Sequence, residues 1–93
     1  MGQTHTVGKV STTARMKDGV LSVVYHSTEV VHATPQAIIL DSGGYRTHTT
    51  KTRMNQASNQ YGLGYVVYQT KHVWYVSHKG VDTVFHDGMR LER

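Results

Sequence analysis

From Tyr65 to Leu91 the chain is cut into short β-prone runs by two-residue turn signals. Tyr65–Thr70, Val73–His78 and Val81–His86 are rich in valine and aromatic residues, with Lys71-His72 and Lys79-Gly80 between them. Asp87-Gly88 then leads into a last short run, Met89–Leu91. Successive residues of a strand face opposite sides of a sheet, so this alternation marks strands with one buried face. Turns this short join antiparallel neighbours. The spacing therefore predicts a β-meander over the last third of the chain.

The first forty residues read the same way. A strand over Thr6–Arg15 is followed by the turn Lys17-Asp18-Gly19, and a second strand spans Val20–His26. In that strand Leu21, Val23 and Tyr25 share one face and Val20, Ser22 and Val24 the other. Ser27-Thr28 is a soft break before Glu29–Thr34, which Pro35 ends because proline has no N–H to give a ladder. Gln36–Leu40 is short, apolar and β-branched, and is expected to be buried.

Between these two halves lies Ser42–Gln60, SGGYRTHTTKTRMNQASNQ. Its paired glycines suit a turn, since glycine reaches dihedrals that cost other residues about 1–2 kcal/mol. Tyr45–His48 is a candidate short strand. Thr49 or Thr50 is the expected N-cap of a helix over about residues 50–60, with Met54, Ala57 and Tyr61 on one apolar face. Gly62 and Gly64 stop it. The fold class that follows is α+β: an antiparallel sheet or small barrel-like meander with one short helix.

With 93 residues and 38% apolar content, the chain is expected to form one domain over residues 1–93. A modest core of this kind also leaves room for a homo-oligomer. There is no cysteine, which excludes disulfides, zinc–thiolate sites and thiol nucleophiles. No apolar run approaches the length of about 18 residues that a membrane span needs, and the N-terminus has no secretory h-region, so an intracellular protein without a membrane role is expected. The net charge of +4 is unevenly placed. Residues 1–41 balance three cations with three anions, whereas residues 42–81 hold Arg46, Lys51, Arg53, Lys71 and Lys79 and no acid. A field of that sign attracts phosphate or an acidic surface.

The chemistry-bearing residues do not assemble into a catalytic or metal motif. The seven histidines lack the short spacings of metal ligands, so neither a metal nor a cofactor is expected. There is no nucleophile elbow, and Asp41 with His48 is an acid–base pair only by proximity to the central stretch. The sequence favours a binding role over an enzymatic one. The phosphate reading has the firmer physics, because a helix N-terminus presents free N–H groups and the positive end of the helix dipole. Its candidate ligand-binding residues are Gly43, Gly44, Arg46, Thr47, Thr49, Thr50, Lys51, Arg53 and Asn55. Tyr45, Tyr61 and Tyr68 are candidate aromatic contacts for a base. The plainer reading of the same residues is a turn, a capped helix and solvated basic side chains.

The runs LDSGGYRTHTTKTRMNQ, YGLGYVVYQTKHVWYVS and FHDGM resemble a family of small tailed-bacteriophage proteins. The resemblance rests on Ser42 to Thr47, Thr49 to Lys51, Arg53 to Gln56, Trp74 to Val76 and Asp87 to Met89, covering about residues 39–90. His48 departs from the family's pattern. The resemblance carries no catalytic role with it; it implies a phage origin and a place of action in the bacterial host cytoplasm. The expected function is that of a phage accessory protein binding nucleic acid or a nucleotide. The alternative is a host-takeover or anti-defence protein that binds a bacterial protein or sequesters a nucleotide signal.

Overall fold

The structure, a computed structural model, describes residues 3–5, 12–44 and 46–93. Among the described residues, nine strands and one helix follow one another as β1 (Gln3–His5), β2 (Thr12–Lys17), β3 (Val20–Tyr25), β4 (Thr28–Ala33), β5 (Ala37–Leu40), α1 (His48–Tyr61), β6 (Tyr65–Thr70), β7 (Val73–His78), β8 (Val81–Val84) and β9 (Met89–Glu92). They form a six-stranded sheet in the order β1-β2-β3-β4-β5-β9 and a three-stranded sheet β6-β7-β8, with antiparallel pairing throughout. The α+β class is as expected. Among the described residues the larger sheet is an open meander, its ends β1 and β9 unpaired with each other.

The tight turns are where the sequence places them. Asp18 and Gly19, Lys71 and His72, and Lys79 and Gly80 all have positive φ. Two-residue hairpins need this because it twists the loop in the same sense as the strands. Of the strand expected over Thr6–Arg15, residues 12–15 belong to β2 and residues 6–11 lie outside the described residues; β1 precedes it and was not expected. β3 stops at Tyr25, one residue early, because His26 takes φ 56° and turns the chain.

Three local expectations are corrected. The helix begins at His48 and Thr47 is its N-cap, in place of Thr49 or Thr50. Thr47 is extended (φ −101°, ψ 162°), as a cap must be, whereas Thr49 and Thr50 are already helical. No strand runs into His48 for the same reason, and Tyr45 lies outside the described residues. The third correction is topological. Asp87-Gly88 does not fold β9 back on β8; the chain crosses between sheets and β9 pairs with β5.

Side-chain size explains that crossing. Phe85 is buried against Trp74, ring centroids 5.4 Å apart, and its N–H donates to the Trp74 carbonyl at 2.9 Å. Beyond it, Met89 and Leu91 fall opposite Leu40 and Ile38 and continue the apolar face of the larger sheet. That face also carries Ala14, Leu21, Val23, Val31 and Ala33, aligned by the register of β2, β3 and β4. A bulge at Val23/Val24 shifts the β3–β4 register, and Val30 and Val31 are buried in succession.

α1 packs on β6, β3 and β4, burying Met54 and Ala57 as expected, together with Thr50 and Ser58. Gly62, left-handed at φ 64°, ends it. The helix also closes the outer edge of β6. Ser58 Oγ donates to the Tyr65 carbonyl at 2.7 Å and accepts from the Tyr65 N–H at 3.1 Å. Asn55 does the same for Val67, its amide nitrogen donating to the carbonyl at 2.8 Å and its oxygen accepting from the N–H at 2.7 Å. Helix side chains thus take the hydrogen bonds a further strand would have made. Among the described residues no helix is long and apolar enough to cross a membrane.

Candidate functional site

The chain leaving β5 toward α1 is held from both sides over residues 41–44. Asp41 Oδ1 accepts from the Gly43 N–H at 2.7 Å, an Asx-type turn. Asp87, on the β8–β9 crossing, accepts from the Ser42 N–H at 2.8 Å and from the Ser42 hydroxyl at 2.6 Å. Ser42 Oγ in turn accepts from the Gly44 N–H at 3.2 Å. Gly43 (φ 63°) runs so close to β4 that a Cβ there would meet Thr28 Cγ2 at 2.9 Å and collide with its hydroxyl. Glycine is required at that position by space as well as by dihedral.

Burial pushes the Asp87 carboxyl upward, but the Ser42 hydroxyl and N–H, the Arg46 charge and the Gly44 N–H outweigh it. They hold the group below its ordinary 3.8. Asp87 therefore stays ionised and fixes the loop.

A cleft of about 440 Å³ opens beside this loop. Tyr25, His26, Ser27 and Thr28, from the β3–β4 turn, form one wall; Ser42 and Thr47 form the other. The cleft thus reaches the N-terminus of α1. Thr47 Oγ1 accepts from the Thr50 N–H at 3.2 Å and the Thr47 carbonyl accepts from the Lys51 N–H at 3.1 Å. The N–H groups of His48 and Thr49 are left open by the helix pattern. No acidic residue lies in the helix's first turn to balance the dipole. Arg53 flanks the cleft: its guanidinium carbon lies 6.0 Å from the centre of the Tyr25 ring, and its Nε donates to Thr12 Oγ1 at 3.0 Å.

The candidate residues divide into those at this mouth and those directed elsewhere. Gly43, Gly44, Thr47 and Thr49 belong to the loop and helix start, and exposed Arg46 leans on Phe85 at 5.1 Å. Thr50 is fully buried, its hydroxyl 3.1 Å from that of Thr47. Lys51 lies over Trp74 at 5.9 Å and reaches Gln69 at 3.5 Å, so it faces the smaller sheet. Asn55 is occupied by β6. Arg46 and Lys51 rest on Phe85 and Trp74, two rings packed against each other, whereas Arg53 rests on Tyr25 beside the cleft.

The aromatic candidates are likewise apart. Tyr61 is half-buried, with its hydroxyl enclosed and no partner among the described residues. Tyr68 lies on the outer face of the smaller sheet. Asp41 and His48 do not meet: Asp41 accepts from Gly43 and His48 Nε2 lies 3.5 Å from Thr52 Oγ1. Among the described residues no three histidine or carboxylate side chains gather as a metal site would need.

Tyr25 to Thr28, the far wall of the cleft, are residues that sequence reasoning passed over. The only local signal was the break at Ser27-Thr28, which marks a turn and says nothing of what the turn faces. The sequence marks Asp87 as a turn-former, as a neighbour of His86 and as part of the family resemblance, with nothing to point it at this loop.

A family model described as Kyanoviridae Gp96 protein matches residues 2–92. No curated protein and no solved structure matches the chain.

Proposed function

The chain belongs to the Kyanoviridae Gp96 family of phage proteins, and from that premise we propose that it is an accessory protein that binds a phosphate-bearing ligand without catalysis, acting in the cytoplasm of the bacterial host. The ligand is a nucleotide or an exposed nucleic-acid end, with its phosphate at the start of α1 and its base beside Tyr25 and His26. The observation that carries this reading is the cleft itself. Its volume of about 440 Å³ falls in the range of small-ligand sites, roughly 300–1,000 Å³. It runs from an aromatic pair, Tyr25 and His26 with ring centroids 4.3 Å apart, to a helix N-terminus with no acid in its first turn. The two nearby carboxylates, Asp41 and Asp87, are held by loop N–H and hydroxyl donors, and the Arg46 charge beside Asp87 offsets part of their repulsion of an anion. A pocket of this size suits one nucleotide better than a duplex, which makes sequestration of a nucleotide signal a natural use.

Fluorescence anisotropy with labelled single-stranded DNA, single-stranded RNA and mononucleotides tests this. Binding is expected to weaken as salt rises, because phosphate contacts release counterions. Arg53→Ala and Tyr25→Ala are each expected to weaken it about tenfold, the value of one lost charge or stacking contact. Binding that ignores salt, or that survives both substitutions unchanged, defeats the reading.

A further inference from the structure

The middle of the cleft, between the aromatic pair and the start of α1, is lined by hydroxyls. Ser42 and Thr47 stand on one wall, Ser27 and Thr28 on the other. A serine or threonine hydroxyl has one proton to give and two lone pairs with which to accept. What each can still bind therefore follows from what it already holds.

Ser42 is the most constrained of the four. It lines the cleft although it is only 1% exposed. Its hydroxyl gives its proton to Asp87 Oδ1 at 2.6 Å and accepts from the Gly44 N–H at 3.2 Å. Asp87 is ionised and has no proton to return, so the direction of that bond is fixed. One acceptor position is left on Ser42. It suits a ligand group that carries a proton, and a phosphate, whose oxygens are nearly all acceptors at pH 7, has no use for it. Thr47 is committed to the helix, accepting from the Thr50 N–H at 3.2 Å with the Thr50 hydroxyl 3.1 Å away. Thr28 is the opposite case. It pairs with Tyr25 across the β3–β4 turn and its side chain lies against Gly43, beside Ser42. Among the described residues nothing holds its hydroxyl, which is open both to give and to accept.

A nucleotide with its base at Tyr25 and its phosphate at the helix start has its sugar at this level of the cleft. A ribose 2′-hydroxyl is donor and acceptor at once. It can donate to the remaining acceptor position of Ser42 and accept from Thr28, whereas the CH₂ of a deoxyribose leaves both without a partner. We propose that the cleft selects ribonucleotides over deoxyribonucleotides by reading the 2′-hydroxyl with Ser42 and Thr28. The inference rests on the nucleotide reading of the cleft and adds the class of sugar to it.

Calorimetric titration of the full chain with adenosine 5′-monophosphate and with its 2′-deoxy analogue tests the proposal. The deoxynucleotide is expected to bind about tenfold more weakly, the value of one lost hydrogen bond. Thr28→Val removes the hydroxyl and keeps the branched shape, and is expected to erase the preference; Thr28→Ser, which restores a hydroxyl, is expected to bring it back. The wild-type comparison needs no variant, so it decides the matter even if Thr28→Val fails to fold. Equal binding of the two nucleotides overturns this inference and leaves the nucleotide reading standing. A preference that survives in folded Thr28→Val overturns the assignment to Thr28. A preference among bases with none between the sugars also overturns it, because the proton at Ser42 would then come from a base amine. Binding of neither nucleotide at millimolar concentration overturns the inference together with the reading beneath it.

Discussion

The Asp87 carboxylate governs the Gly-Gly loop because it accepts two hydrogen bonds from Ser42, a residue 45 positions away, and Ser42 passes the constraint on to Gly44. Asp87→Asn keeps the shape and loses the charge. It is expected to cost about 1 kcal/mol in urea unfolding at pH 7, below the roughly 1.5–3 kcal/mol of bonds to a buried charged acceptor, since the group remains partly solvated. The pH dependence follows from the direction of the shift. A carboxyl held below 3.8 in the folded state stabilises it in full above that value, and the advantage fades as pH falls through the lowered one. The gap between wild type and Asp87→Asn should therefore close in acid; a gap that persists there contradicts the assignment. The turn tendency of Asp87-Gly88 was legible in the sequence. The carboxylate's target was not, because a hydrogen bond across 45 residues leaves no local pattern.

At the scale of elements, most strands announce themselves. β6 and β7 coincide with the runs that alternation and turn chemistry define, and the apolar stripe of α1 contains Met54 and Ala57 as its period requires. The start of α1 was harder to place. Thr47, Thr49 and Thr50 are all competent caps, and only the extended backbone of Thr47 distinguishes it. Thr47→Ala is accordingly expected to lower stability by about 1 kcal/mol, whereas Thr49→Ala, which removes no capping oxygen, is expected to be near neutral. Equal losses from both in thermal or urea unfolding would contradict the cap assignment. Asn55 illustrates a different limit. In sequence it belonged with the polar residues of a basic helix, but its two bonds to Val67 depend on β6 lying alongside, which only the tertiary structure supplies.

At the scale of the molecule, the described residues form two antiparallel sheets joined by one helix and by the crossing at Phe85–Gly88. The meander was legible because each turn carries its own signal. The crossing was hidden because Asp87-Gly88 reads like any hairpin turn; what decides it is that Met89 and Leu91 complete the apolar face already built by Ile38 and Leu40. That crossing brings Asp87 to the Gly-Gly loop and so joins the SGG and DGM runs in one structure. Arg53 of the central stretch rests on Tyr25 beside the cleft, whose second wall comes from the β3–β4 turn. We propose this cleft, at the start of α1, as a phosphate-ligand site. Titrating the isotopically labelled chain with a mononucleotide and following backbone amide shifts by NMR tests that proposal. The largest shifts are expected at His26 to Thr28 and at His48 and Thr49. Shifts confined to other parts of the molecule, or none at millimolar nucleotide, would contradict it.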